Sequence, residues 1–299
     1  MSWIVLALLA PVFDTAVNFI DKYLVGEKLE DYRAVPIFMG IVGTIAGLIL
    51  YSVRGFQAMN GLDLPLILLA GILTYFSIYY YFKALDFEET SIVVILFQAS
   101  PLITLVLSAL FLREVITLTQ LLGFILVLAA STTVSLDSVK PGKFSLSKSF
   151  YYIMTSNVFW SCAAILYKST AVSNDFLSTL GVEGIGIGLG ALMAFSFDKG
   201  IRQAFLTTMP KVSPSVLVLL TLNEILSLAA KWIVFLAVLL GPVALVDVVV
   251  SVQIFYAIIT GWLLTRLFPK IFQENISRKG LTLKLFAGLT LMLGIYLIA

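Results

Sequence analysis

The residues with chemistry to offer are a few carboxylates and one lysine set in stretches otherwise built from Leu, Val, Ile and Phe. The run VLVLLTLNEILSLAAKWIVFLAVLL, residues 216–240, carries Asn223, Glu224 and Lys231. Glu224 and Lys231 are seven apart, so on a helix they share a face but stand roughly 10.5 Å apart along its axis. They cannot pair directly. Each needs a partner elsewhere, from Asp14, Glu183 or Asp247, or a solute bearing both charges lies between them. A second run, FLSTLGVEGIGIGLGALMAFSF, sets Glu183 among Gly181, Gly184, Gly186, Gly188 and Gly190. Glycines at this spacing let helices approach closely, and packing is their expected role. A carboxylate there must be protonated, paired or wet, so Glu183 is a candidate proton carrier or an interhelical hydrogen-bond partner, and Glu224 a second proton-coupling candidate.

Near the start, Asp14, Asn18 and Asp21 fall at i, i+4 and i+7, one stripe on one helix face. Asp14 lies deep enough to face a cavity, while Asp21 and Lys22 are expected to mark the water boundary. Asp247, with Ser251 on its face, follows Gly241-Pro242 and is expected to cap a helix start or to touch substrate. Gln98 and Gln253 supply neutral hydrogen-bonding groups that line a cavity or join helices. Tyr75 and Tyr79 share a face, where packing is the default and a ligand-facing hydroxyl or cation–π surface the alternative. The chain has no histidine and one cysteine, Cys162. His-based catalysis, an intramolecular disulfide and cysteine metal clusters are thereby excluded. No nucleotide-binding glycine loop, nucleophile elbow or zinc signature is present, so no cofactor is expected.

These groups must be positioned by membrane helices. The 299 residues are 60% hydrophobic and 12% charged, with a mean hydropathy of +1.05, far from a soluble domain. A net charge of +2 without a basic run gives no reason to expect nucleic acid as a partner. Apolar segments of spanning length fall at 2–21, 34–53, 62–84, 90–112, 118–136, 149–168, 176–197, 213–240, 243–267 and 281–299. Pro101, in the middle of the fourth, withdraws a backbone N–H and is expected to kink its helix.

The hydrophilic stretch 138–148 divides a first unit, 1–137, from a second, 149–299, five segments from five. Sparse matches relate them: PVF at 11–13 answers NVF at 157–159, Lys22 answers Lys168, Gln98 answers Gln253, and Gly123 meets Gly288. An odd number of helices per unit sets the two copies in opposite orientations. The expected fold is all-α and integral to the membrane, ten transmembrane helices as two inverted five-helix repeats. Outside the eighth segment, only Arg54, Arg113 and Lys168 among the Lys and Arg residues lie on the face that holds both termini. That bias places the termini outside the cytoplasm.

One stretch carries a resemblance. Small residues, then Ser100-Pro101, then Arg113-Glu114 closing a helix, then Gln120-Leu121-Leu122-Gly123 resemble the EamA domain of the drug/metabolite transporter superfamily. Its larger members have two copies and ten helices, and many relatives are thought to have cytoplasmic termini, against the charge bias here. The second half departs from the pattern, with Thr265-Arg266 where Arg113-Glu114 stands in the first. The resemblance implies that the first four helices of each unit surround a central cavity, braced by the fifth and tenth. It also implies transport of a small metabolite, amino acid or drug, commonly efflux. The expected function is a secondary transporter of a small polar metabolite in the plasma membrane, not an enzyme. Its site draws on Asp14, Glu183, Glu224, Lys231, Asp247, Gln98, Gln253 and Tyr79. Lipid and a small-molecule substrate are the expected partners, and both proton coupling and a homo-oligomer are compatible with the chain. The rivals are an intramembrane enzyme acting on a lipid-linked substrate and a non-transporting membrane subunit.

Overall fold

The computed structural model describes residues 2–24, 28–53, 55, 59, 61–85, 96–97, 99–137, 148–267 and 278–298. The helices in order are α1 (Trp3–Tyr23), α2 (Ala34–Val53), α3 (Asp63–Leu85), α4 (Ser100–Leu107), α5 (Leu118–Asp137), α6 (Lys148–Ala171), α7 (Phe176–Phe197), α8 (Lys199–Thr208), α9 (Pro214–Leu240), α10 (Val243–Val250), α11 (Gln253–Leu267) and α12 (Arg278–Ile298). No strand occurs among the described residues. Trp3–Asp21, Ala34–Val53, Asp63–Ala84, Phe176–Phe197 and Pro214–Leu240 are long and apolar enough to cross a membrane, and shorter apolar helices include Ser100–Leu112 and Val243–Tyr256. α6 is long but more polar, because it buries Ser156, Asn157 and Ser161 against its neighbours.

Several elements depart from the expected segments. α4 begins at Ser100 with Pro101 in its first turn. Leu96 and Phe97 just before it are also helical, and most of the rest of the fourth segment before Pro101, on which the expected kink bears, lies outside the described residues. α4 runs on into a π-helical turn at Ser108–Leu112 that stops at Arg113, whose φ of 53° is left-handed. A side chain rarely adopts that conformation, and here it swings Glu114 out of the helical path. The segment 243–267 is divided into α10 and α11 by a turn at Ser251-Val252. In the polar stretch after α7, Asp198 Oδ1 accepts from the N–H groups of Gly200 and Ile201 at 2.8 and 3.0 Å, starting the amphipathic helix α8. Its buried Ile201, Ala204 and Thr208 face inward at helical spacing.

The most extensive helix pairs all join the first half to the second: α2 with α7, α3 with α6 and α7, α5 with α12, and α1 with α9. α4 lies against α6 and α10. Glycines make the closest of these approaches. A Cβ on Gly71 of α3 would stand 2.1 Å from the Glu183 carbonyl oxygen, and one on Gly186 of α7 would stand 2.4 Å from that of Leu68. The opposite face of α7 meets α2 equally closely, with a Cβ on Gly47 falling 2.5 Å from the Gly181 carbonyl oxygen. Packing is thus the role of these glycines. Gly71→Val forces two backbones apart, and overpacking typically costs about 1–3 kcal/mol. A several-degree loss in Tm, or loss of the monodisperse peak in detergent, is expected. Gly288→Ala, which meets nothing within 4 Å, leaves both unchanged; thermal unfolding with size-exclusion chromatography checks the pair.

Candidate functional site

Glu183 has no solvent exposure, enclosed where α7 is pressed against α2 and α3. Its Oε2 accepts from Lys231 Nζ of α9 at 2.6 Å, the two side chains being 0% and 10% exposed. Lys231 is therefore paired with α7 and not with Glu224, as the seven-residue spacing requires. Its ammonium also lies 5.8 Å from the centroid of Phe235, which stacks on Tyr167 at 4.0 Å and on Trp160 at 6.2 Å. The other oxygen of Glu183, Oε1, is buried without a donor, and so is the Tyr167 hydroxyl.

A second polar group sits between α1 and α9. Asn223 Nδ2 donates to Asp21 Oδ1 at 2.7 Å, and Glu224 follows on the same helix. Asp21, Asn223 and Glu224 are 5%, 3% and 5% exposed, which corrects the expectation that Asp21 marks a water boundary. α1 packs along α9, and this partner helix covers the stripe that sequence spacing alone left open. Asp14 is half-buried two turns away.

Asp247 does not cap a helix start. α10 begins at Val243 with no side-chain cap, and Asp247 Oδ2 instead accepts from Ser100 Oγ at 2.9 Å and Thr104 Oγ1 at 2.7 Å, both on α4. Trp160 is a further side-chain partner, and Thr104 also meets Ser161 of α6 at 2.9 Å. This network ties the two halves together at the start of α4. Gln253 opens α11 and is half-buried, while Gln98 lies outside the described residues. Tyr79 is half-buried, edge-on to Tyr80 at 5.4 Å and below Lys83 Nζ at 5.7 Å, whereas Tyr75 is fully buried in packing.

One constellation escapes the sequence reading. Glu114 bridges Lys168 at the end of α6 and the Val243 N–H that opens α10, the latter at 2.9 Å, and Lys168 also donates to the Gly241 carbonyl at 2.6 Å. The signals were present in Arg113-Glu114 and in Lys168, and only the left-handed turn at Arg113 joins them. Among the described residues no group of three or more His, Cys, Asp or Glu could hold a metal ion.

Comparison with known proteins bears on what these helices are for. Residues 1–136 match the EamA-like transporter family. No curated protein matches the chain. A solved crystal structure superposes with a TM-score of 0.68 over 99% of this chain and 96% of its own, at 16% identity, which shows a shared fold extending through the second half.

The Glu183–Lys231 pair sets an unambiguous stability cycle. Lys231→Met leaves Glu183 buried without a counter-ion, and breaking a buried pair this way typically costs about 3–5 kcal/mol. Combining it with Glu183→Gln removes the uncompensated charge and is expected to recover most of the lost Tm. Thermal unfolding of wild type, both single variants and the double variant measures the coupling.

Proposed function

We propose, from the match of residues 1–136 to the EamA-like transporter family, part of the drug/metabolite transporter superfamily, that the whole multi-pass membrane protein is a secondary transporter of a small polar metabolite. The solute is an amino acid, an amine or a related compound, moved outward across the plasma membrane by alternating access. Ten spans arranged as two inverted five-helix repeats form the path. α9 serves as the eighth span and α10 with α11 as the ninth. Most of the helix pairing supports this plan: exchanging the halves turns the α1–α9 contact into the α6–α3 contact and carries α2–α7, α4–α10 and α5–α12 onto themselves, whereas the extensive α3–α7 contact has only a slight counterpart between α9 and α2.

The observation that carries the reading is the buried Glu183–Lys231 pair with one glutamate oxygen left over. A pair of opposite charges with no other hydrogen-bond partner among the described residues can exchange partners with a solute that bears both. The ammonium group of such a solute takes Glu183 and its carboxylate takes Lys231, so each charge keeps a partner throughout. A phosphate ester is a poorer match, since clustered Arg or Lys suit it and Lys231 has no cationic neighbour on α9. Asp14, Glu224, Asp247, Gln98, Gln253 and Tyr79 complete the proposed lining, with Glu183 and Glu224 also the proton-coupling candidates and lipid around the helices. The chain acts as a monomer or a homo-oligomer, and the chemistry proposed is transport without catalysis.

Thermal stabilisation of the purified protein across a metabolite panel tests the site. A true ligand at 100 times its Kd stabilises by about 2.7 kcal/mol. The expected outcome is a compound that raises the Tm of wild type and of neither Glu224→Gln nor Lys231→Met. Equal stabilisation of all three would make Glu224 and Lys231 structural and move the site towards Asp14.

A further inference from the structure

Buried polar groups in a membrane protein find partners, because no water in the hydrocarbon can serve instead. The exceptions here have a common sign. Apart from three hydroxyl groups, every described buried side-chain polar atom without a partner is an acceptor oxygen: Asn157 Oδ1, Glu183 Oε1, Asn223 Oδ1 and Glu224 Oε2. Two of the four belong to consecutive residues of α9. Asn223 has committed an amide hydrogen to Asp21 at 2.7 Å, and among the described residues its carbonyl Oδ1 and the Oε2 of the adjacent Glu224 have no donor. Asp21, its amide partner Asn223 and the neighbouring Glu224, on which Asp21 acts electrostatically, are each more than nine-tenths buried.

The surrounding charges do not make up the deficit. Lys231 and Asp21 act on Glu224, and the Lys231 ammonium is committed to Glu183 at 2.6 Å. On α3, Tyr81 lies within electrostatic reach of Asp14 and Asp21, and Asp14 is two turns along α1. Two ionised carboxylates enclosed together repel each other and have both lost their hydration. One proton removes a charge and turns an acceptor into a donor, which is what the group lacks.

We propose that Asp21, Asn223 and Glu224 form a proton-binding site in which the two carboxyl groups hold one proton, and that this site carries the coupling proton of the transporter proposed above. Asn223 fixes Asp21 through its amide hydrogen. The proton resides on one of the two carboxyls and lowers the charge that both would otherwise carry. On release it passes to water on the face to which the path is open, restoring two anions. Glu183 is a weaker coupling group, because it already has a counter-ion. The coupling claim rests on the transporter reading, whereas the proton site does not.

Infrared difference spectroscopy of the full chain in liposomes, between alkaline and acidic buffer, separates the two. Wild type is expected to show a protonated-carboxyl band that Asp21→Asn and Glu224→Gln each abolish and Glu183→Gln retains. Asn223→Leu, which keeps both carboxyl groups, should move the band's disappearance to higher pH by about one unit, the equivalent of one lost hydrogen bond to the ionised form. Survival of the band in both Asp21→Asn and Glu224→Gln, or its loss in Glu183→Gln, would overturn the site. Because the aspartate and glutamate changes are independent and isosteric, failure of one variant to fold leaves the other decisive. If the band behaves as expected but a proton gradient drives no flux of a solute that the wild type exchanges, the coupling claim falls and the site stands. Absence of exchange with every solute would instead remove the transporter reading.

Discussion

A carboxylate with no solvent exposure is sustained only where the backbone around it packs closely and a cation can reach it. Both conditions meet at α7. Its glycines let α2 and α3 approach to backbone contact on two faces, which removes water from Glu183, and Lys231 crosses from α9 to neutralise it. The two conditions act together. Looser packing would admit water and weaken the ion pair, while removing Lys231 would leave a bare charge that the tight packing cannot hydrate.

That arrangement also makes the two halves mutually dependent. Among the described residues every extensive helix pair crosses from one half to the other, and several polar links do the same, although Glu183–Lys231 joins two helices of the second half. Asp247 accepts hydroxyl hydrogens from α4, Ser77 and Ser156 bond across α3 and α6 at 3.1 Å, and Glu114 ties α4 to Lys168 and to the start of α10. Moving one sequence half as a rigid body would break all of these at once. In the transport cycle proposed above, motion confined to particular helices, with α7 and α9 parting at the Glu183–Lys231 ion pair that links them, would leave these links in place. In that proposed cycle the ion pair would be both the recognition element and the contact whose exchange with solute permits movement.

Much of this was legible in the residues. Hydropathy located the apolar segments, the spacing of Glu224 and Lys231 excluded a direct bond between them, and the glycine run pointed to close packing. What was not legible depended on neighbours distant in the chain. Asp21 resembles a boundary residue until α9 covers it with Asn223. Asp247 looks like a cap because it follows Gly241-Pro242, but hydroxyls on α4 reach it first. Glu114 seemed to end α4, and the left-handed Arg113 turns it into the link to α6 and α10. Local rules describe an element's own backbone, and each of these outcomes was decided by another element.

The measurement that bears most directly on the central claim is solute flux in liposomes containing this protein alone. Preloaded vesicles would be assayed for exchange of radiolabelled polar metabolites with wild type and with Glu183→Gln/Lys231→Met, the double variant that keeps the core free of an unpaired charge. Saturable exchange of a solute carrying both an ammonium and a carboxylate by wild type, lost in a folded double variant, is the predicted result. Undiminished exchange by the double variant would contradict the role given to the ion pair, and chemical conversion of the solute without flux would contradict transport itself.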